Sequence, residues 1–326
     1  MNHEPTMNIV FFGSSQFAVP SLKALLTTAH KVSCVVTQPD RKKGRGLHFE
    51  GTAIKAAAEE SGLEIYQPHK INTGDAIKFL KDLKPDLFIV ISYGQILSQE
   101  VLAIPKIFCI NVHASLLPKC RGAAPINWTI VNGEKTSGIT IIKMTEEMDA
   151  GPVILQKIIN INDSDTVITL QDKLSKVAAE LLIDSFRAIE NNDYKLTPQD
   201  EKKVTFAPKL KKEDGLIYWN EPAYNICNLI RGVYAWPGAF TYYKGKLLKI
   251  FTARVGLAHG VSGYPGIRVS GEVLNASKQG ITVATGKDDL IIEELQVEGK
   301  RRMLVEEFIA GHKISSGEKF GKKSIA

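Results

Sequence analysis

The chain has 326 residues, a length for which two domains are the natural expectation. Apolar residues make up 44% and aromatic residues 8% of the chain, which is enough to build cores and excludes a disordered protein. It contains no apolar run of about 18 residues, so no transmembrane helix is expected. The opening, MNHEPTMNIVFFG, lacks the basic and apolar regions of a signal peptide. We expect a short tail that leads into a first strand after Met7.

The net charge of +6 is unevenly distributed along the chain. Residues 1–200 carry 21 Lys and Arg against 22 Asp and Glu, whereas residues 201–326 carry 20 against 13. The excess of positive charge in the C-terminal part predicts a polyanionic partner, with RNA or DNA as the usual candidates. A basic solvated surface without a partner is the alternative.

The four cysteines show neither a metal-binding nor a disulfide pattern. Cys34, Cys109, Cys120 and Cys227 include no C-x-x-C pair, and no Cys/His cluster has the spacing of zinc ligands. This pattern predicts a reducing, cytoplasmic compartment, no structural disulfide and no metal site.

Through residue 190, strand-like apolar runs alternate with segments of helical length. The predicted strands are NIVFF (8–12), KVSCVVT (31–37), LEIYQP (63–68), DLFIVIS (86–92), KIFCINVH (106–113), SGITIIKM (137–144) and, at an edge, PVILQKIINI (152–161). The predicted helices are 17–28, 51–62, 75–84, 124–133 and 166–190. This alternation is typical of βαβ units and predicts an α/β fold with a doubly wound, mostly parallel sheet.

The pattern changes after Glu190. Residues 191–215 are polar and interrupted by prolines, which indicates a linker. Five short strands follow between a helix at 221–233 and a helix at 303–311, and they predict a small OB-like β-barrel, a fold that often binds nucleic acid. The predicted strands are GAFTYY, KLLKIFTARV, GEVLNA, GITVATG and LIIEELQV. The expected division is a catalytic domain at 1–193, a linker at 194–208 and an OB-like domain at 209–326.

The first βα turn argues against a dinucleotide site. A Rossmann-type turn needs G-x-G-x-x-G after the first strand, and FFGSSQFAVP has only Gly13. The doubly wound sheet must therefore serve another ligand.

Asn111 and His113 stand at the end of a predicted buried strand, where α/β proteins place their ligand-binding loops. Side chains alternate along a strand, so the two point to the same side. An amide can stabilise an oxyanion there, and an imidazolium can donate or shuttle a proton. The alternative is a capping Asn and a loop His bonded to the backbone.

A second polar segment, KMTEEMDAGPV (143–153), lies between two predicted strands. Such a loop is usually a solvated turn. Asp149 is set apart by its neighbours Met148 and Ala150, and a carboxylate there can pack against a histidine and favour its charged form near pH 7.

Together these segments resemble the folate-dependent formyltransferases, and within them those that act on methionyl-tRNA. The resemblance rests on NVHASLLPKCRGAAPINW (111–128) and Asp149-Ala150-Gly151, and it extends to both ends of the chain. The other matching segments are FFGSSQFAVPSL (11–22), with Ser14-Ser15 where the family usually has Thr-Pro, ISYGQIL (91–97), APKLKKEDGLIYW (207–219), LIRGVYAWPGAF (229–240) and ELQVEGKRRM (294–303).

The resemblance implies a reaction and its substrates. 10-Formyltetrahydrofolate would donate a formyl group to the α-amine of methionine esterified to initiator tRNA. Asn111 and protonated His113 would stabilise the oxyanion, and Asp149 would hold His113 charged and help to move protons. The protein would act as a monomer. The implied folate-binding residues are Ser115, Leu116, Leu117, Pro118, Tyr93, Gly94 and Ile96.

The loop QPDRKKGRGLH (38–48) carries four cations close to the expected crevice. The resemblance implies that Arg41, Lys42, Lys43 and Arg45 contact the acceptor stem of tRNA, where phosphate contacts set affinity and register. A disordered, solvated loop is the alternative. The segment GLHFEGTAIK that follows has Glu50 where relatives carry positive charge, which predicts less extensive contact.

Two other interpretations compete with this one. The first is a formyltransferase or hydrolase whose acceptor is a nucleotide sugar, a glycinamide ribonucleotide or water. Such relatives lack the C-terminal match and the basic loop. The second is a non-catalytic RNA-binding protein that kept the fold, and the presence of Asn111, His113 and Asp149 argues against it.

Overall fold

The computed structural model describes residues 6–43, 48–256 and 269–321. Its contacts divide the chain into two compact units. The first unit comprises Met1–Pro125, Thr136–Asn160 and Leu170–Pro208. The second comprises Ile126–Lys135, Ile161–Thr169 and Lys209–Ala326. The second unit therefore takes two short segments from within the sequence of the first.

A seven-stranded sheet forms the centre of the first unit. Its strands are β1 (Asn8–Gly13), β2 (Lys31–Val36), β5 (Ile65–Tyr66), β6 (Leu87–Ile91), β7 (Phe108–His113), β8 (Thr136–Lys143) and β9 (Val153–Asn160). They are arranged in the order β5-β2-β1-β6-β7-β8-β9. The first five strands in this order are parallel, and β8 and β9 are antiparallel to their neighbours. The prediction of a doubly wound, mostly parallel sheet with an edge strand at 152–161 is thus confirmed.

The predicted helices of the first 190 residues are present, and several begin at a side-chain cap. They are α1 (Val19–Leu25), α2 (Ala53–Glu60), α3 (Gly74–Asp82), α4 (Gln99–Leu102), α5 (Pro125–Val131) and α6 (Val167–Glu190). Thr52, Thr73 and Ser98 each accept a hydrogen bond from the backbone N–H three residues later, which satisfies a donor that a helix start leaves free. Of these helices, the short α4 was not predicted from the sequence.

The sheet order places a crevice at the carboxyl ends of its central strands. In the sheet, β2 and β5 lie on one side of β1, and the later strands β6 and β7 lie on its other side. Loops leaving β1 and β6 therefore diverge, and ligands of open α/β sheets bind at such a point. Every residue of β6 is buried, so this edge of the sheet rests on an apolar core.

The segment 38–48, predicted as a flexible loop, differs from that prediction. Arg41–Lys43 form β3, which pairs in antiparallel register with β4 (His48–Glu50). The register sets Arg41 opposite Glu50, and opposite charges across a strand pair are favourable. Strands of three residues are too short to show an alternating pattern, so the sequence did not indicate them.

The second unit contains the five predicted strands and a sixth short one. The strands are β10 (Ala239–Tyr243), β11 (Lys246–Gly256), β12 (Val273–Ser277), β13 (Gly280–Ala284), β14 (Asp289–Val297) and β15 (Met303–Leu304). Their order is β10-β11-β14-β13-β12, with β15 paired to β14, and all pairs are antiparallel. The helices are α7 (Ala223–Gly232) and α8 (Val305–Gly311), so the predicted helix at 303–311 begins two residues later.

Residues 317–321 join the two edges of this sheet. Gly321 exchanges both backbone hydrogen bonds with Tyr242 of β10, at 3.0 and 3.1 Å. On the other edge, the N–H of Val273 in β12 donates to Glu318 at 2.7 Å, and the N–H of Phe320 donates to Gly271 at 2.8 Å. The segment thus gives the open sheet the closure that an OB-like barrel needs.

The described residues offer no helix long and apolar enough to cross a membrane. All four cysteines are free and buried. Burial raises the pKa of the Cys34 thiol to about 12 and that of Cys227 to about 11. Both thiols therefore stay neutral and unreactive near pH 7.

Replacing the aromatic ring of the closing segment is expected to destabilise the second unit. Phe320 is 3% exposed and lies 5.7 Å from the Trp219 ring and 5.3 Å from the Tyr243 ring. Phe320→Ala should cost about 3–5 kcal/mol in the free energy of unfolding, measured by denaturant titration. Exposed Lys319→Ala is the control and should unfold like the parent chain. Equal stability of both variants would contradict the proposed closure.

Candidate active site

Asn111 and His113 lie at the end of β7, near the crevice. Asn111 pairs with Val90 of β6 on one side and with Ile142 of β8 on the other. His113 pairs with Thr140 of β8. The two residues are two positions apart, so their side chains leave the sheet on the same face, as the sequence predicted.

Asp149 reaches these residues from the loop between β8 and β9. Its backbone has φ of 55°, a left-handed conformation that Asp adopts more readily than most residues. Two residues later the chain turns back against the end of β8. A Cβ on Gly151 would lie 1.8 Å from the Lys143 carbonyl oxygen, so only glycine fits this approach.

The carboxylate of Asp149 contacts the side chains of both Asn111 and His113. Its Oδ1 accepts a hydrogen bond from Nδ2 of Asn111 at 3.0 Å and lies 3.5 Å from Nδ1 of His113. Its Oδ2 accepts from the backbone N–H of Gly122 at 2.8 Å. The side chains of His113 and Asp149 are 6% and 11% exposed, so their contact is shielded from water. The structure therefore brings together the three residues singled out from the sequence.

Both ring nitrogens of His113 face oxygen atoms that can accept a hydrogen bond. Its Nε2 lies 2.9 Å from the backbone carbonyl oxygen of Cys120, which can only accept a hydrogen bond. Its Nδ1 faces the carboxylate of Asp149. Both nitrogens meet acceptors, and both can donate only when the ring is an imidazolium.

Three further residues hold the Asp149 loop in place, and none was identified from the sequence. Nε2 of Gln199 donates to the backbone carbonyls of Asp149 and Gly151, at 2.7 and 2.8 Å. Gln199 is itself held by Nε of Arg121 at 3.0 Å, and Arg121 pairs with Glu201 at 2.7 Å. Gln199 lies in the polar segment predicted to be a linker, 50 residues after Asp149. No local pattern in the sequence indicates this contact.

A cavity of about 850 Å³ opens at the carboxyl ends of β1, β2 and β6. Ser14 and Ser15 border it after β1, Gln38 after β2, and Tyr93 and Gly94 after β6. Its position is the crevice expected from the strand order, and the ends of β6 and β7 are neighbours in the sheet. The cavity and the cluster around Asp149 therefore lie along the same edge.

The cavity wall contains polar atoms that lack a protein partner. Within the described part of the chain, six buried side-chain atoms have no hydrogen bond, and three of them belong to cavity residues. They are Oγ of Ser15, Nε2 of Gln38 and the hydroxyl of Tyr93. Burial raises the pKa of Tyr93, so its hydroxyl keeps its proton and can donate. Buried polar groups are normally paired, and these three atoms are exceptions.

Only some of the residues predicted to bind folate border the cavity. Tyr93 and Gly94 border the cavity, whereas Ile96 is 67% exposed and is not among its lining residues. In the turn at 115–118, Ser115 and Leu117 are buried, and Leu116 and Pro118 are half-buried. Thr140 fastens this turn, because its Oγ1 donates to Ser115 at 2.6 Å and accepts from the Leu117 N–H at 3.1 Å.

The basic residues predicted to contact tRNA are described in part. Arg41 borders the cavity, and its guanidinium donates to Oε1 of Gln38 at 3.0 Å. Lys42 and Lys43 continue β3 beside it. Arg45 lies outside the described residues. A further cation of the cavity wall, Lys55, is held by Asp40 at 2.6 Å, and this hydrogen bond lowers the pKa of the Asp40 carboxyl.

Across residues 6–43, 48–256 and 269–321, His, Cys, Asp and Glu side chains form no group of three that could hold a metal ion.

The fold is shared with solved structures of low sequence identity. An N-formyltransferase from Helicobacter canadensis, solved with folinic acid and dTDP-3-aminofucose, has a TM-score of 0.66 at 19% identity, covering 92% of this chain and 100% of that one. HypX from Aquifex aeolicus in complex with tetrahydrofolic acid has a TM-score of 0.59 at 19% identity. That match covers 96% of this chain, which spans 51% of HypX.

Both units of the sequence match family models and relatives. The formyl transferase model matches residues 7–186, and the model of the formyl transferase C-terminal domain matches residues 209–313. The methionyl-tRNA formyltransferase of Acetivibrio thermocellus is 43% identical over 97% of this chain and 100% of its own length. That of Thermodesulfovibrio yellowstonii is 45% identical over 95% and 97%. The chain therefore belongs to the methionyl-tRNA formyltransferase family of formyl transferases.

Proposed function

We propose that this protein transfers the formyl group of 10-formyltetrahydrofolate to the α-amine of methionyl-initiator tRNA. The product would be N-formylmethionyl-tRNA for translation initiation. The observation that carries the proposal is the cluster of Asn111, His113 and Asp149 in a chain whose full-length relatives bear the name of this activity. The solved neighbours that contain folates support the choice of donor.

The proposed chemistry begins with the amide of Asn111. One N–H of its Nδ2 donates to Asp149, so the carboxylate fixes the orientation of the amide. The second N–H has no partner among the described residues. We assign it to the formyl oxygen, which becomes negative when the amine attacks. His113, as an imidazolium, adds positive charge beside the same oxygen.

The second part of the chemistry is proton movement. The amine must lose one proton as its bond to the formyl carbon forms, and the folate nitrogen must gain one as its bond to that carbon breaks. The carboxylate of Asp149 can accept the first proton, and the imidazolium of His113 can donate a proton to the folate nitrogen, after which the proton on Asp149 passes to the ring. Gly122 keeps Oδ2 of Asp149 occupied, which leaves Oδ1 directed at Asn111 and His113.

The cavity beside this cluster would hold parts of both substrates. We propose that the folate contacts Tyr93, Gly94 and Ile96 and the turn at 115–118. The cations Arg41, Lys42, Lys43 and Arg45 would meet the acceptor stem of the tRNA. The polar side chains that border the cavity, among them Ser14, Gln38 and Arg41, support the idea of a polar ligand in it.

We further propose that the protein acts in the cytoplasm as a monomer. The four free thiols suit a reducing compartment. Asn111, His113, Asp149 and Gln199 all come from one chain, so the site needs no second copy. We retain the division into a catalytic domain at 1–193, a linker at 194–208 and a tRNA-binding domain at 209–326.

The proposal is tested by formyl transfer from 10-formyltetrahydrofolate to methionyl-tRNA, with initiator and elongator species compared. Transfer restricted to the initiator species is the expected result. A dTDP-linked amino sugar serves as the competing acceptor, since a sugar formyltransferase shares the fold. Transfer to the sugar, or release of formate without transfer to tRNA, would contradict the proposal that methionyl-tRNA is the acceptor.

Removing the imidazole should abolish most turnover. His113→Ala is expected to lower the turnover number by about 10²–10⁴-fold, because the proton shuttle is lost, while tRNA affinity stays close to that of the parent. Steady-state formylation and tRNA binding measure the two effects. The matched control is His69→Ala, which should turn over like the parent because His69 is exposed and lies outside the Asp149 cluster. Normal turnover in His113→Ala would remove this residue from the mechanism.

Loss of Gln199 should impair catalysis through the position of Asp149. Gln199→Ala is expected to lower the turnover number by about 10²-fold with little change in KM, since a misplaced group of this kind costs about that much. Thermal unfolding should remain near that of the parent. Lys202→Ala, an exposed neighbour, is the control. A rise in KM with unchanged turnover would mean that Gln199 supports substrate binding instead.

Neutralising the basic hairpin should weaken tRNA binding and its dependence on salt. The variant replaces four cations by alanine: Arg41, Lys42, Lys43 and Arg45. The slope of log affinity against log salt should flatten by about 0.7–0.9 for each phosphate that these cations no longer neutralise. A control with equal charge change replaces four cations elsewhere: Lys78, Lys81, Lys173 and Lys176. If the slope flattens equally in both variants, the effect is one of net charge and not of the hairpin.

A further inference from the structure

The turn between α7 and β10 exposes a tryptophan on the second unit. The Trp236 side chain is 53% exposed, although Val233, Pro237 and Gly238 of the same turn are buried. The chemistry at the candidate active site makes no use of this residue. An exposed apolar side chain is not unusual by itself, so its setting decides whether it has a role.

The turn is fastened on both sides of Trp236. On one side, the Arg302 guanidinium donates to the Tyr234 hydroxyl at 2.7 Å and pairs with Glu294. Its carbon lies 5.2 Å from the Tyr234 ring centre and 4.3 Å from that of Phe251, within the range of cation–π attraction. The arginine thereby fixes the chain two residues before Trp236.

On the other side, a lysine binds the backbone of the turn. Nζ of Lys249 donates to the Pro237 carbonyl at 3.1 Å. The N–H of Gly238 closes the turn by donating to Val233 at 2.9 Å. The residues before and after Trp236 are therefore both fixed by hydrogen bonds, and the indole projects from between them. A group fixed in advance loses little conformational entropy when a ligand packs on it.

A second segment with lysines touches the same turn. A Cβ on Gly215 would lie 2.3 Å from the Gly238 carbonyl oxygen and 3.0 Å from Cγ of Pro237, so the two chain segments touch. Lys211 and Lys212 precede Gly215 in this segment, are exposed and form no ion pair within the described residues. Glu213 and Asp214 stand between these lysines and Gly215, so Lys249 is the cation shown in contact with the turn itself.

We propose that Trp236 is a stacking platform for an unpaired base of the RNA substrate, with the nearby lysines contacting its phosphates. The inference rests on the proposed function for the identity of the RNA. Aromatic faces flanked by cations are the usual means of holding single-stranded nucleotides, because every base has a face that can stack. The net positive charge of residues 201–326 suits an anionic partner better than a second protein with an apolar core.

The test compares variants of the full chain in binding to unformylated methionyl-tRNA, measured at several salt concentrations. Trp236→Ala should raise the Kd by about 5- to 100-fold, the range found for loss of one stacked base. The slope of log affinity against log salt should stay unchanged, since stacking releases no counterions. Trp236→Phe should lie between the parent and the alanine variant. Tyr218→Ala is the matched control, because Tyr218 is 56% exposed on the same unit.

A spectroscopic readout tests stacking directly. The chain has three tryptophans, of which Trp219 is 6% exposed, Trp128 is half-buried and Trp236 is 53% exposed, so Trp236 should supply most of the fluorescence that tRNA quenches. Trp236→Phe should remove most of that quenching. Parent-like affinity in Trp236→Ala, or undiminished quenching in Trp236→Phe, would overturn the inference. Formylation by the parent is measured separately, so a parent that binds tRNA through Trp236 without formylating it would refute only the proposed function.

Discussion

The carboxylate of Asp149 ties the loop between β8 and β9 to the end of β7 and to the chain at Gly122. It accepts hydrogen bonds from the side-chain amide of Asn111 and from the backbone N–H of Gly122, and it faces the ring of His113. A buried carboxylate is costly unless it is paired and hydrogen-bonded, and here both oxygens are occupied. The segments that supply its partners must therefore keep their positions for the loop to hold. The same contacts that satisfy this charge also orient the groups proposed to act on substrate.

Support for that carboxylate comes from a part of the chain that looks unstructured in sequence. Arg121 is 3% exposed, and its charge is met by Glu201 and by the amide oxygen of Gln199. The backbone of Arg121 also pairs with residues 205–207. Its N–H donates to the Thr205 carbonyl at 2.9 Å, and its carbonyl accepts from the Ala207 N–H at 2.7 Å. Residues 199–207, within the segment predicted to be a linker, thus pack against the site and hold Arg121 in place.

Local patterns in the sequence predicted most of the fold, for reasons visible in the structure. Strands such as β6 are buried throughout and read as continuous apolar runs, and helices such as α2 begin at a capping threonine. Asn111 and His113 were found because strand periodicity places them on one face. Gln199 was missed because its two bonds depend on tertiary contacts, and a glutamine in a polar segment has no distinguishing pattern. The β3–β4 hairpin was missed because its strands are too short for periodicity to appear.

The closure of the second unit has a consequence for the order of its assembly. Residues 317–321 join β10 to the chain around β12, and they follow in sequence every described strand of the sheet whose two edges they connect. During synthesis on a ribosome, both edges of the sheet must therefore remain unpaired until this segment has emerged. Unpaired strand edges are the surfaces through which chains associate wrongly. The nascent second unit therefore keeps two unpaired strand edges until residues 317–321 have paired with both of them.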